Sequence, residues 1–337
     1  MNILITGGAG GIGSTLCIEL AKNGHTVVAL DDFSHGYMEN LFDNAKQVCD
    51  AVPLDIRETT KLTELLQFNK TDVIVHLAAL TSLPECESNP SECMSVNVAG
   101  TASVLTAARL AKIKRVIVAS TSAIYENNLE LEAPFKEDLK VKPTLMYPLS
   151  KKLMEDMVQS YISNYGMDIV TLRLFNVFGP RQDIHRPSPP LLNYIVKQFA
   201  KKESCTFYST GTQKRDYVHV DDVVRLVESC LDNPKAKGQT YNVCTSTLTS
   251  VHDVIQSAMA AFGDFAFEFK ESTEFWSNFE ILKQGMPLSP DVIDREVNKF
   301  SLGSYEKVMW ELSWVPNTSI SKLMTETMKK NYELITG

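Results

Sequence analysis

The 337-residue chain contains no run of about 20 consecutive apolar residues, the length a helix needs to cross a bilayer. Its apolar stretches, such as Val27–Leu30 and Val73–Leu80, are short or interrupted, so no membrane span is expected. The start, MNILITGG, has no basic region followed by an apolar run of signal length, and reads at once as a strand and a turn. Cysteine is sparse. There are seven, an odd number with no CxxC pair, which argues against a disulfide framework or zinc site and predicts reduced thiols in a cytoplasmic protein. Six His residues show no HxxxH or HExxH spacing, so no catalytic metal is expected. Positive charge is in deficit, 33 Lys and Arg against 41 Asp and Glu, for a net charge of −8. Such a chain binds a phosphate backbone poorly, and nucleic acid is not an expected partner. The 16 Gly and 14 Pro are scattered, which excludes collagen-like and low-complexity classes.

What is present is enough to fold. Hydrophobic residues make up 44% of the chain and charged residues 22%, and the length suits two domains or one large α/β unit. Short apolar runs at Asn2–Thr6, His25–Leu30, Val73–Leu77, Arg115–Ala119 and Asp168–Leu174 read as strands. Between them, Ile12–Lys22, Ser91–Ala111 and Pro148–Tyr165 read as helices, the first stopping at Asn23-Gly24 and the last at Gly166. This alternation predicts an α/β fold, a Rossmann-type doubly wound parallel sheet with helices on both faces. Order weakens after Asn176. Gly179–Pro190 holds four Pro and no periodicity, a long surface loop. The expected division is a nucleotide-binding domain over 1–175, with 212–245 returning to it. A smaller mixed α/β substrate region spans 176–211 and 246–337.

The first strand-to-helix turn reads Gly7-Gly8-Ala9-Gly10-Gly11-Ile12-Gly13. Glycines at 7, 10 and 13 permit the tight turn, close approach of backbone to a pyrophosphate, and packing of helix on sheet. The helix N-terminus then offers free N–H groups to the phosphates. Asp31 ends the second strand 18 residues after Gly13, near the ~20 expected for an acid that binds the ribose. Its carboxylate accepts from ribose hydroxyls and repels a 2′-phosphate, so NAD is expected rather than NADP.

Further on stands Tyr147-Pro148-Leu149-Ser150-Lys151. Pro148 suits a first helical turn, which puts Tyr147 and Lys151 on one face, one turn apart. A phenol with pKa ~10 is a poor base at neutral pH. A neighbouring ammonium and an oxidised nicotinamide favour the phenolate, which can then take a proton from a sugar hydroxyl. The fourth strand runs into Ser120-Thr121-Ser122-Ala123, with hydroxyls at the C-terminal end of the strand, where α/β ligands bind.

With these motifs in order, the chain resembles the extended short-chain dehydrogenases/reductases, specifically the NAD-dependent nucleotide-sugar epimerase/dehydratase family with UDP-glucose 4-epimerase-like members. TGGAGGIG resembles its opening motif and carries cofactor binding to Gly7, Gly10, Gly11, Ile12 and Gly13. LDDFSHG resembles its ribose-binding turn, which implicates Asp31, Asp32, Ser34 and Gly36. Asp55-Ile56 resembles the pair that holds the adenine, and HLAALTS the strand beneath the cofactor, with Leu77, Ala78, Ala79 and Thr81 at the cofactor and Ser82 at the substrate. Asn97 resembles the structural Asn of the long helix, counted with the cofactor set. RLFNVFGPRQ resembles the segment that sets Phe175 near the nicotinamide and Asn176 on the substrate, and Arg181 lies within it. QKRDYVHVDD resembles the segment whose Arg215 meets the substrate diphosphate, and Tyr208 stands where an aromatic often faces the base. The catalytic trio maps onto Thr121, Tyr147 and Lys151, with Ser122 beside it at the sugar. The resemblance also implies a nucleotide-diphosphate sugar substrate and a homodimer formed through a four-helix bundle of Ser91–Ala111 and Pro148–Tyr165.

Four departures refine this picture. The family's dehydratases follow the catalytic Thr with Asp-Glu, and its decarboxylases keep a Glu at the second of those positions. Here Ser122-Ala123 removes the base for elimination. Hydride transfer alone remains, which predicts a 4-epimerase. The alternative is a 4-dehydrogenase or 4-ketoreductase, and a non-catalytic NAD-binding scaffold is a further one. Gly11 replaces a usual aromatic, which predicts looser packing there. Leu288 stands where a diphosphate-binding Arg is usual, leaving Arg295, Arg181 or Arg186 to compensate, or an unusual substrate. Glu126 replaces a Gly, with no reason visible in the sequence.

Overall fold

Seven strands carry the molecule. In the computed structural model, which describes residues 1–126 and 134–336, β1 (Asn2–Thr6), β2 (Thr26–Asp31), β3 (Asp50–Pro53), β4 (Val73–His76), β5 (Arg115–Thr121), β6 (Ile169–Leu174) and β7 (Thr240–Val243) form one sheet. Its order is β7-β6-β5-β4-β1-β2-β3, every pair parallel. The predicted doubly wound sheet is therefore the observed one.

The composition of the strands follows from their place. A parallel sheet covered on both faces needs near-continuous apolar runs, and all seven residues of β5, RVIVAST, are buried. Helices α1 (Gly11–Lys22) and Val220–Cys230 cover one face. Helices α2 (Thr59–Phe68), α3 (Thr101–Leu110) and α4 (Met146–Tyr165) cover the other. Each fully buried Val, Ile or Leu contributes about 1.5–3 kcal/mol by leaving water.

Two elements of the sheet have weak sequence signals. β3 reads DAVP and is half-exposed, an edge strand whose terminal Pro is tolerated there. β7 follows the helix Val220–Cys230 and pairs with β6 at the opposite edge, Val243 beside Leu174. The expected helix over Ser91–Ala111 is broken up: Pro90–Met94 is α-helical, Ser95–Gly100 widens into π-helix, and α3 follows. The loop expected over Gly179–Pro190 is observed, since 179–190 carries no helix or strand.

Beyond the sheet, Asn176–Phe178, Lys214–His219 and Leu248–Ser250 form a three-stranded sheet. The helices Leu191–Lys201, Val251–Phe262 and Ile320–Thr336 pack on a separate apolar core. All seven cysteines are free thiols. Among the described residues, no helix is long and apolar enough to cross a membrane.

Register decides where the site forms. Thr6 lies beside Leu30 and His76, Asp31 beside Pro53, and Thr121 beside Leu174. The strands thus end together along one edge of the sheet. Because β1 pairs with both β2 and β4, the chain direction across the sheet reverses at β1, the switch point where α/β ligands bind.

Candidate active site

A cleft of about 980 Å³ opens along that edge. At its floor, Gly10 precedes α1 without a side-chain cap, so the first N–H groups of the helix remain available to an anion. The turn is built too tightly for side chains. A Cβ on Gly7, where φ is +68°, would lie 2.8 Å from Ala78 N, and one on Gly13 would lie 2.1 Å from Gly7 O. The cradle fits a pyrophosphate.

Asp31 stands at the end of β2, 8% exposed. Its carboxylate accepts from Ala9 N and Phe33 N, each at 2.9 Å. Burial pushes its pKa up, while those two N–H donors pull it down. The carboxylate is thus fixed at the cleft wall with acceptor capacity to spare, as a ribose diol requires. Asp32 instead accepts from Ser34 N and Ser34 Oγ at 3.0 and 2.6 Å. Asp55 is engaged by Arg57, with the Arg57 NH2 2.6 Å from Oδ2, and the guanidinium holds its pKa down. Ile56 packs against Gly100, where a Cβ would come within 2.5 Å of Ile56 Cδ1.

Beneath the cleft runs a buried polar chain. Thr6 Oγ1 hydrogen-bonds His76 Nδ1 at 2.7 Å, His76 Nε2 hydrogen-bonds Thr101 Oγ1 at 2.9 Å, and Thr101 donates to Asn97 O at 2.7 Å. Burial, with Lys151 nearby, pushes the His76 pKa down to about 3, so it serves as a neutral strut.

The expected catalytic trio is brought together by α4 and β5. Tyr147 and Lys151 share one face of α4, and Thr121 ends β5. All three line the cleft. The Thr121 hydroxyl pulls the Tyr147 pKa down, as a polar group beside the phenol does. The expectation that Lys151 lowers the phenol pKa is corrected for the protein alone. Burial pushes Tyr147 up to about 12, against a smaller downward pull from Thr121. Lys151 is 3% exposed, donates to Ala119 O at 2.9 Å, and is pushed down to about 8 by burial. Desolvation outweighs ion attraction here, because a buried site disfavours both charged forms.

The remaining expected residues divide. Gly11, Ile12, Gly36, Leu77, Ala78, Ala79, Thr81, Phe175, Asn176, Tyr208 and Arg215 join the cleft wall. Asn97, Ser82, Ser122 and Arg181 do not. Asn97 lies behind the wall, where its amide bonds Leu80 N, Leu80 O and Ser150 Oγ at 2.8–2.9 Å. It supports α4 rather than touching a ligand. Ser82 is buried just before the helix Leu83–Ser88, and Ser122 lies in the 3-10 turn that leaves β5. Arg181 lies in the 179–190 loop with φ of +63°.

That loop explains Gly11. A Cβ there would lie 3.0 Å from Gln182 Cα and 3.2 Å from Arg181 O. The looser packing expected at Gly11 is not found: the loop occupies the space itself. It also delivers Arg186 to the cleft, where NH1 donates to Thr81 Oγ1 at 3.4 Å and Nε to Ser188 O at 2.7 Å. Of the three arginines considered for the role lost at Leu288, Arg186 alone lines the cleft. Arg215 is held by Glu296 O and Val297 O, both at 2.9 Å. Opposite, Phe275 meets Tyr208 with ring centroids 5.5 Å apart. Phe275 has no motif around it in the sequence, and tertiary folding alone brings it to Tyr208.

Comparison with known proteins identifies the family. Residues 3–244 match the model of the NAD dependent epimerase/dehydratase family. The UDP-glucose 4-epimerase of Mycolicibacterium smegmatis is 36% identical over 266 residues, 78% of this chain and 83% of that protein. A UDP-N-acetyl-alpha-D-glucosaminuronate decarboxylase of Bacillus cytotoxicus is 32% identical over 262 residues, covering 75% and 78%. Among solved structures, UDP-glucuronic acid 4-epimerase from Bacillus cereus, in complex with UDP-glucuronic acid and NAD, superposes with a TM-score of 0.82 at 26% identity over 99% of this chain and 100% of that one. The chain belongs to the NAD-dependent epimerase/dehydratase family.

Proposed function

We propose that the protein is a nucleotide-sugar 4-epimerase that holds NAD tightly through its turnover. The observation that carries this reading is the segment after β5: Thr121 is followed by Ser122-Ala123, with no carboxylate for elimination. Bound NAD supplies a hydride acceptor that later returns the hydride to the sugar.

The chain's own residues do the rest. Tyr147 takes the proton of the C4 hydroxyl and later gives it back. Thr121 donates to the same oxygen and steadies the phenol. Lys151 lies one helical turn from Tyr147 and would hold the nicotinamide ribose, the oxidised ring adding the positive charge that makes the phenolate accessible. Gly7, Gly10 and Gly13 admit the pyrophosphate, and Asp31 accepts from the adenosine ribose. The cleft must retain the ketone while it turns over, since losing the reduced cofactor would strand it.

A second reading concerns the sugar. Arg186 reaches the same end of the cleft as Tyr147, whose phenolate its charge favours. Among the described residues no carboxylate forms an ion pair with its guanidinium, although Glu85 and Asp183 lie near enough to favour its charge. An anionic substituent beside the reacting carbon, as in a uronic sugar, suits that placement.

Incubation with UDP-glucose, UDP-galactose, their N-acetyl forms, UDP-glucuronate and GDP- or CDP-sugars tests both. C4 epimers without net NADH support the proposal, and faster turnover of the uronate supports the second reading. Steady, stoichiometric NADH release would instead indicate a 4-dehydrogenase.

A homodimer through α3 and α4 is also proposed. Leu110, Leu153 and Tyr165 on these helices are 50%, 41% and 56% exposed. Light scattering at micromolar concentration should give twice the chain mass, and a monomer would overturn it.

A further inference from the structure

The helix that carries Tyr147 has no cap of its own. Its N-cap residue is Leu145, with no side-chain hydrogen bond. The N–H groups at such a terminus need acceptors, and here two carboxylates from distant parts of the chain supply them. Glu126 Oε1 accepts from Thr144 N, from Thr144 Oγ1 at 3.0 Å and from Leu145 N at 3.1 Å. Glu87 Oε1 accepts from Met146 N at 2.5 Å. Three consecutive backbone donors, ending one residue before Tyr147, are thus held from outside the helix.

Glu126 also belongs to the segment that carries Thr121. It closes the 3-10 turn Ser122–Tyr125, which leaves β5 with Thr121 Oγ1 accepting from Ala123 N at 3.2 Å. One side chain therefore ties the strand end bearing Thr121 to the helix start bearing Tyr147. Stability alone does not call for this arrangement. Glu126 is 4% exposed, and its Oε2 has no hydrogen-bond partner, a costly state for a carboxylate oxygen. A Ser at the N-cap would satisfy the helix without burying a charge.

We infer that Glu126, assisted by Glu87, is a positioning residue that sets the approach of the Tyr147 phenol to Thr121. The inference rests on the reading of Tyr147 as the acid/base. Neither carboxylate lines the cleft, so both act through the placement of α4.

The test compares Glu126→Ala, Glu126→Gln and Glu126→Asp in the NAD-loaded protein, by kinetics and crystal structures. Misplacing a reacting group by about 1 Å can lower turnover ~100-fold. Glu126→Ala should therefore lower kcat by about 10–100-fold, leave the KM for the nucleotide sugar within about twofold, and move the Tyr147 hydroxyl away from Thr121 by about 1 Å. Glu126→Gln keeps an oxygen acceptor and should stay within about threefold of wild type. Glu126→Asp keeps the charge but retracts the acceptor, and should lower kcat about tenfold. Unchanged geometry and kcat in the Ala variant, or a change in KM alone, would overturn the inference. If the Ala variant does not fold, equal kcat for Asp and Gln overturns it. The crystallographic shift is read whether or not a sugar is turned over. Inactivity of the wild type on every nucleotide sugar would sink the epimerase reading, and the crystallographic shift alone would then decide this one.

Discussion

Arg173 and Glu155 meet in a buried, two-pronged ion pair, Nε to Oε1 at 3.0 Å and NH2 to Oε2 at 2.8 Å. It ties β6 to α4, and Arg173 NH1 donates onward to the Tyr125 hydroxyl at 2.7 Å. Both side chains are about one-tenth exposed or less. Removing one partner leaves the other charge buried and unpaired, which typically costs about 3–5 kcal/mol. Glu155→Ala should lose about that much in urea unfolding. A loss under about 1 kcal/mol would mean that water reaches Arg173.

Tyr147→Phe removes the proton carrier and leaves the packing. General acid–base groups contribute about 100–10,000-fold, so turnover should fall by that factor while bound NAD survives gel filtration. Turnover near wild type would take Tyr147 out of the mechanism.

Lys151 gives a pH signature in the cofactor-free protein. Its pKa is lowered from 10.5 to about 8 by burial. Between pH 8 and 10 the folded chain therefore binds fewer protons than the unfolded chain, and stability from this group rises with pH. Above pH 10 Tyr147 opposes it, since its folded pKa is raised to about 12. Urea unfolding at pH 8, 9 and 10 should show wild type gaining about 2–3 kcal/mol relative to Lys151→Met. Parallel curves for the two proteins would show that Lys151 stays charged.

Arg186→Ala should raise the KM for the nucleotide sugar about 10–100-fold, the loss of a charge-assisted hydrogen bond, and leave NAD content unchanged. An unaltered KM would leave the anion to Arg215.

Gly11→Tyr should disturb the same loop from the other side. The new side chain meets Gln182 Cα and Arg181 O, so the loop must move and carry Arg186 with it. A tenfold or greater fall in kcat/KM is expected, and wild-type kinetics would mean that the loop yields freely.

Much of this was readable from the amino acids because the nucleotide half is built from local patterns. A Gly turn between a strand and a helix, an acid ending β2, and a Tyr and Lys one turn apart are each specified within a few residues. β3 escaped notice because DAVP at an edge lacks an apolar face, and the π-helical stretch at Ser95–Gly100 looks like ordinary helix in its side-chain pattern. The roles of Phe275, Arg186 and Glu126 are set by partners 67, 105 and 18 residues away, separations that no periodicity encodes. The upward push on the phenol of the protein alone has a related cause: neighbours in sequence announce a charge, but depth below the surface is a property of the whole fold.

The return of β7 to the far edge of the sheet has a practical result. Val243 N–H and C=O groups of that strand run beside β6, so a fragment ending before residue 240 would leave β6 with an open flank and bared Val and Leu side chains. Such a fragment should self-associate rather than behave as an isolated coenzyme module, because the seven-stranded sheet is closed only by residues 240–243.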